Sequence, residues 1–442
     1  MKGTRKMKPE IKQRIEQIKA GQVPDGYKRT KIGVIPAEWN ICKLKDVLEK
    51  QTMKNKDNIV KNVLTNSAAK GIVSQTDFFE KQIANSDNTS GYYIVKNGYF
   101  VYNPRISVSA PCGPFNKYYG EKDGIMSPLY TVYKYKDASE YYSEFLSLYF
   151  SGSSWYSYMN SIANYGARSD RMNVTSADMD NMPFPYPPLA EQEKIVKILS
   201  VQDRIIELYQ RKIEELQKMK KIYLSKMFPK KGENAPEWRF PQFTTPWEQR
   251  KLGEIGKARS GIGFPDSEQG GKEGIPFYKV SDMNLDGNEI EMTVANNYVS
   301  TEQIARKKWS PLEDVPAIYF AKVGAAVMLN RKRLCRKPFL FDNNTMAYSL
   351  NIKYWNTEFA KAEFSKIDLT RLVQVGALPS YNANDVDAIS IVLPSLEEQQ
   401  KIGAYFANLD NLITFHQRKL EETKKYKKAL MQLLLTGIVR CE

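Results

Sequence analysis

The sequence holds one histidine, His416, and four cysteines, Cys42, Cys112, Cys335 and Cys441, no two of them in CxxC spacing. A single histidine excludes any mechanism that needs two. The scattered thiols argue against a cysteine zinc site or a disulfide framework, so reduced cysteines are expected. No apolar run is long enough to span a bilayer, and the basic N-terminal stretch is not followed by a signal-type apolar segment. A cytoplasmic protein with no membrane partner is therefore expected. Catalytic motifs are missing too. Gly270-Gly271-Lys272 lacks the distant glycine of a phosphate loop, no GxGxxG follows a strand pattern, and Pro185-Tyr186-Pro187-Pro188 has the wrong order for a methyltransferase tetrad. Asp266, Glu268 and Lys272 lack the strand context of a nuclease carboxylate set. No catalytic residue and no metal ligand is assigned.

What the sequence has is positive charge and an internal repeat. Its 442 residues carry 65 Lys and Arg against 50 Asp and Glu, a net charge of +15 with a pI near 9.3, which points to a polyanion partner, nucleic acid first. With 42% hydrophobic and 26% charged residues it reads as globular, with room for two or three domains. The first 31 residues hold ten Lys and Arg against three acids. Within them, residues 9–20 can form a short amphipathic helix with Ile11, Ile15 and Ile18 on one side, ended by Gly21.

Residues 187–229 and 394–436 align without a gap at an offset of 207, matching at Glu191/Glu398, Gln192/Gln399, Ile195/Ile402, Asp203/Asp410 and Gln210-Arg211-Lys212/Gln417-Arg418-Lys419. Apolar positions step by four and three through Ile195, Leu199, Ile206, Tyr209, Ile213 and Leu216, and in the same register through Ile402, Phe406, Leu409, Ile413, His416 and Leu420. That is a coiled-coil seam, and His416 on it reads as a packing residue. At about 1.5 Å per residue each copy is a rod roughly 60 Å long. The heptads do not distinguish parallel from antiparallel pairing.

A second match precedes each rod. Trp39 with Lys43-Leu44-Lys45-Asp46-Val47 corresponds to Trp247 with Lys251-Leu252-Gly253-Glu254-Ile255. The duplicated unit is thus a globular domain plus its rod. The layout is a basic arm (1–34), a first domain (35–186), a first rod (187–229), a linker (230–243), a second domain (244–393), a second rod (394–436) and a tail (437–442). Both domains read as mixed α and β. Lys96-Asn97-Gly98 between two β-rich runs predicts a hairpin, and a comparable one is expected around Val323-Gly324. Helices are expected over 139–150 and 357–364, with Phe145, Leu146 and Tyr149 offered to a core.

With no site for catalysis, the candidates are basic clusters interleaved with amides and aromatics. In the first domain these are Lys54, Lys56, Lys70, Asn103, Arg105, Lys117, Arg168, Arg171 and Asn173; in the second they are Arg259, Lys279, Arg306, Lys307, Lys308, Arg331, Lys332, Arg333 and Arg336. Arg and Asn can address base edges while Lys mostly holds phosphate. Taken singly each cluster is an ordinary solvated face; as a set, in two domains joined by rods, they favour DNA.

Several stretches carry a family resemblance: Ile32-Gly33-Val34-Ile35-Pro36-Ala37-Glu38-Trp39, Pro187-Pro188-Leu189-Ala190-Glu191-Gln192, Ala235-Pro236-Glu237-Trp238 and Pro394-Ser395-Leu396-Glu397-Glu398-Gln399. In these, and across essentially its whole length, the chain resembles the specificity (S) subunit of type I restriction-modification systems. The resemblance implies an α+β or α/β fold of two tandem target recognition domains, each followed by a long helix. The helices would pair as an antiparallel coiled coil with approximate two-fold symmetry. Each domain would read half of a split, asymmetric site on double-stranded DNA. It implies a chain without catalysis or cofactor of its own. Two methylation (M) subunits would bring S-adenosylmethionine, and two restriction (R) subunits ATP and Mg. The chain would not be a homo-oligomer. The rod residues Gln210, Arg211, Lys212, Gln417, Arg418 and Lys419 become candidate M contacts. Three other readings stay open: the specificity subunit of a system whose methylase and nuclease share one chain, a non-catalytic coiled-coil scaffold, and a stand-alone DNA methyltransferase.

Overall fold

The computed structural model describes residues 8–78, 89–136, 140–163, 170–373 and 379–441. The chain falls into two compact units, Met1–Leu208 with Lys419–Glu442, and Tyr209–Arg418. Each unit is built from one globular domain, half of each long helix and one closing segment. The helices run over Leu189–Lys226 and Leu396–Leu434, each starting just after the prolines that favour a helix start.

In the first unit a four-stranded antiparallel sheet has the spatial order Leu48–Gln51, Thr131–Tyr135, Phe100–Tyr102, Phe115–Lys117. In the second unit the order Gly256–Ser260, Thr345–Leu350, Ala317–Ala321, Lys332–Cys335 repeats that topology strand for strand. A two-stranded ribbon ties the beginning of each domain to its end: Asn40–Lys43 with Pro183–Tyr186, and Glu248–Lys251 with Ser390–Leu393. The domain therefore closes on itself where the rod leaves it.

The helices Glu140–Ser151 and Thr357–Lys366 cover these sheets. In the first unit Phe145, Leu146 and Tyr149 join Trp39, Phe100, Phe115 and Phe184 in a core that runs on into Ile195, Leu199, Leu434 and Leu435 of the long helices. In the second, Trp247, Ile318, Tyr348 and Phe359 continue into Leu216, Met227, Ile402, Phe406 and Leu409. Domain and rod share one core in each unit, which fixes the domain rigidly to its helices.

Within each unit the helix segments run antiparallel. Asp203 pairs with Lys427 in the first unit. In the second, the Tyr209 ring packs tilted against His416 at 5.8 Å, Lys220 pairs with Asp410 at 2.5 Å and Tyr223 meets Tyr405 at 5.0 Å. As the residue number rises on one helix it falls on the other. His416 is half-buried against Tyr209 and Phe415, a packing role.

One expectation is corrected. Lys96-Asn97-Gly98 does form a turn, with Gly98 at φ +84° and the Tyr99 amide bonded to the Lys96 carbonyl at 3.0 Å. The strands on either side are not partners, however. Tyr93–Val95 pairs with Gly124–Met126 in a separate ribbon, while Phe100–Tyr102 lies in the main sheet. Turn chemistry sets the local reversal, while tertiary packing decides the pairing, all of Phe100–Tyr102 being buried in the main sheet. Around Val323-Gly324 the flanking strands Ala317–Ala321 and Lys332–Cys335 do pair, across a connection that contains the 3₁₀ turn Ala325–Leu329.

Candidate nucleic-acid interface

The doubled Glu-Gln at each rod start has a structural purpose. Glu191 accepts the Trp39 indole N–H at 2.8 Å and a fork from Arg440 at 2.7 and 2.8 Å. Glu398 accepts the Trp247 indole N–H at 3.4 Å and a fork from Arg239 at 2.8 and 2.7 Å. Gln192 and Gln399 donate to the carbonyls of Pro187 and Pro394 at 2.7 and 3.1 Å. Burial works to raise the Glu191 pKa, but hydrogen bonds from Arg440, Trp39 and the Cys441 amide outweigh it and hold the carboxyl below its usual range. In both units, the Arg comes from the segment that follows the other helix. This junction ties each domain to the start of its long helix.

The loops between the second and third strands in chain order lie at one edge of each domain. In the first domain, residues 103–106 are clasped by 170–172: the Met172 amide bonds the Pro104 carbonyl at 2.9 Å and the Ile106 amide bonds the Asp170 carbonyl at 3.0 Å. Arg105 and Arg171 face each other across this bridge, with Asn103 and Asn173 beside them. The structure thus brings four of the predicted residues together from two distant stretches. Arg105 is largely exposed and 4.0 Å from Asp170. Arg168 lies outside the described residues. The second domain repeats the clasp, with Val323 bridged to Ser380 and the Gly324 amide bonded to the Pro379 carbonyl at 2.9 Å. No charge pattern marks that second clasp, so reading the basic clusters passed over it.

The remaining candidates are dispersed. Lys54 and Lys56 project outward on either side of buried Asn55. Lys70 is exposed, whereas Lys117 is buried against Glu144 at 2.5 Å. In the second domain Arg259 pairs with Asp314 at 2.5 Å, and Lys279 donates to Gln269 at 3.1 Å. Arg306 and Lys307 converge on Glu268 at 2.8 and 3.2 Å, and Lys308 is exposed beside them. Hydrogen bonds from Arg306 first, then Gln303, pull the Glu268 carboxyl down to about 2.

The cluster 331–336 is knitted into the fold. Arg331 donates to Asn284 at 2.6 Å and Arg333 to the Asn288 carbonyl at 2.5 Å, while Arg336 forks onto Glu291 at 3.0 and 2.9 Å and also pairs with Glu358. Lys332 donates to the Ile367 carbonyl at 2.5 Å, and burial lowers its pKa to about 8. Among the described residues no cluster of His, Cys, Asp and Glu could hold a metal ion, and no helix is long and apolar enough to cross a membrane. On the rods, Gln210, Arg211, Lys212, Gln417 and Arg418 are exposed, and Lys419 is half-exposed.

Two like domains, each fused to antiparallel helices and each with a clasped loop, define a duplicated chain of two domain-plus-helix units. The family model for the type I restriction modification DNA specificity domain matches residues 36–218 and again 244–425. The chain belongs to this family, as a type I restriction-modification specificity subunit with two copies of the domain. The MjaVIII specificity subunit of a type I restriction enzyme from Methanocaldococcus jannaschii is 30% identical over 295 residues, covering 61% of this chain and 64% of that one. A second chain from that organism, provisionally named the MjaX specificity subunit, is 26% identical over 440 residues, covering 94% and 97%. Among solved structures, the type I system S subunit of M. genitalium shares the fold with a TM-score of 0.53 at 16% identity, over 90% of this chain and 96% of that one.

Proposed function

We propose that this chain is the sequence-reading, non-catalytic part of a type I restriction-modification enzyme. Each domain, 35–186 and 244–393, binds one half of a bipartite asymmetric site on double-stranded DNA. Partner M subunits then methylate adenine using S-adenosylmethionine, and R subunits cut with ATP and Mg. The observation that carries this reading is the repetition of one sheet and one clasped edge loop in two domains whose exposed side chains differ. A duplicated scaffold with two different faces suits a site with two different halves. Rods of this length would set readers about one DNA turn, roughly 34 Å, apart, with the unread gap following from rod length. An approximate two-fold between the halves belongs to the same reading.

Arg105, Arg171, Asn103 and Asn173 are proposed as the first domain's core contacts, and Arg168, Lys54, Lys56, Lys70 and Lys117 as its further DNA contacts. The second domain would use Arg259, Lys279, Arg306, Lys307, Lys308, Arg331, Lys332, Arg333 and Arg336. The M subunits would dock on the rods at Gln210–Lys212 and Gln417–Lys419. Support comes from Leu208 and Phe415, which stand two residues before those triplets in the repeat and are 54% and 53% exposed. An apolar residue beside a polar rim, occurring twice, suits two copies of one partner. The same reading makes the protein cytoplasmic and not a homo-oligomer.

The test is methylation mapping of genomic DNA from cells expressing this chain with its M subunit, compared with cells lacking it. A split motif with methyladenine in both halves, vanishing with the chain, is the expected result, and exchanging residues 35–186 for another such domain should change one half only. No chain-dependent methylation in an assembled complex would sink the reading.

A further inference from the structure

The two equivalent edge loops share a feature that their charge does not reveal. In the first domain the loop tip is a tight turn in which the Ser107 amide bonds the Ala110 carbonyl at 3.0 Å and the Ala110 amide bonds the Ser107 carbonyl at 3.1 Å. The Ser107 hydroxyl also accepts the Ala110 amide at 3.1 Å, and Ala110 itself is buried. This closed turn holds Val108 out at 106% exposure, fully in solvent, directly beyond the Arg105–Arg171 clasp. In the second domain the same loop holds the turn Ala325–Leu329, anchored by buried Val327 and by Asn330, whose side chain bonds the Ile367 carbonyl at 3.3 Å and the Leu369 amide at 3.1 Å. Its outward residues, Met328 and Leu329, are 59% and 61% exposed.

A single exposed apolar side chain needs no explanation. Here two loops with unrelated sequences and different turn types, at the same place in the same topology, each anchor a small apolar residue inward and present a larger one outward. Packing alone does not require that repetition, because the anchors are satisfied within the domain. We propose that Val108 in the first domain, and Met328 with Leu329 in the second, are non-polar base readers that meet base edges in the major groove. This rests on the reading that each domain binds a DNA half-site. Phosphate offers nothing to an apolar side chain, whereas the thymine C5-methyl is an apolar group on the floor of the major groove. In the first domain the Arg105–Arg171 clasp at the loop base would set the depth of the tip. Fixed turns suit this purpose, because a reader already ordered before binding loses little entropy on contact.

The test uses the full chain assembled with its M subunit on its mapped site. Val108→Ser should lower preference for the cognate first half-site over scrambled sequence by about fourfold, the scale of one buried methyl group. It should leave the second half-site and the salt dependence of binding unchanged. Met328→Ser with Leu329→Ser should do the converse. Replacing thymines of a half-site one at a time by deoxyuracil should reproduce the loss at one position in wild type and add nothing in the matching variant. Equal loss on cognate and scrambled DNA, a changed salt slope, or no thymine dependence at any position would overturn the assignment. Unstacking reported by 2-aminopurine without a deoxyuracil effect would also overturn it, in favour of an apolar wedge. If the wild-type complex bound no split site at all, the domain reading would fall first and the loop assignment with it.

Discussion

The two units carry the same ion pair in two different settings. Asp203 with Lys427, and Asp410 with Lys220, are repeat-equivalent on both sides, each residue 207 positions from its counterpart. Asp410 is sealed, 6% exposed, and shared with Lys361 of the domain helix at 3.3 Å, whereas Asp203 keeps 45% of its side chain in water. One sequence feature thus serves as a buried lock in one unit and as a solvated contact in the other. Duplication preserves which residues meet; the domain packed over them decides what the meeting is worth.

The largest expected effects come from the sealed side. Glu398→Ala would leave the Arg239 guanidinium, 15% exposed, without its carboxylate, at a cost of about 3–5 kcal/mol, the range for breaking a buried pair. Glu191→Ala does the same to Arg440, which is 22% exposed and keeps Glu38 as a partner, so its loss should be the smaller of the two. Asp410→Ala removes the acceptor of two lysines and should cost about 3 kcal/mol. Hydrogen exchange measured over both domains checks all three. Fast exchange confined to the substituted unit is expected, and equal loosening of both units would deny that each domain is locked to its own helix ends.

Next in size is DNA binding. Arg105→Ala should impair only the first half-site and Arg259→Ala only the second, each by about 1–3 kcal/mol if the guanidinium reads a base. Loss that is equal on DNA altered in either half would assign these residues to phosphate. Arg168 would be tested in the same way.

Acid sharpens the contrast further. The Glu268 carboxyl, held at about 2 by Arg306 and Gln303 against the usual carboxylate value of 4.5, contributes stability that is fully present above the ordinary range. That stability is lost as pH falls through the folded value. Glu268→Gln should therefore flatten the pH dependence of unfolding of the second unit between about pH 4.5 and 2. The first unit, followed by its own exchange-resistant amides, should be unaffected.

Much of this architecture was legible before any coordinate. The rods announce themselves because burial on a helix pair forces an apolar period that survives duplication, and the helices Glu140–Ser151 and Thr357–Lys366 lie where their patterns predict. Trp39/Trp247 and Glu191/Glu398 stand out as matches, yet their partners Arg440 and Arg239 do not, since they fall in segments that break the 207-residue register. The clasp of Arg105 with Arg171 joins residues far apart in the chain, and nothing local encodes that pairing. The cluster 331–336 looks like a basic face in sequence, whereas in the fold Lys332 and Arg333 spend their donors on backbone carbonyls. Charge reports where a cation is, and burial reports what it is already bound to.

The smallest effect tests the comparison most directly. Asp203→Ala should cost only about 0.2–1 kcal/mol, because the Asp203 carboxylate keeps 45% of its side chain in water, although its partner Lys427 is 19% exposed. That remainder should fade as salt rises toward 1 M, where screening acts within about 3 Å, while the Asp410→Ala loss should persist. A cost at Asp203 as large and as salt-insensitive as at Asp410 would mean that the first unit also seals its pair, and that the exposure difference between the two copies has no energetic consequence.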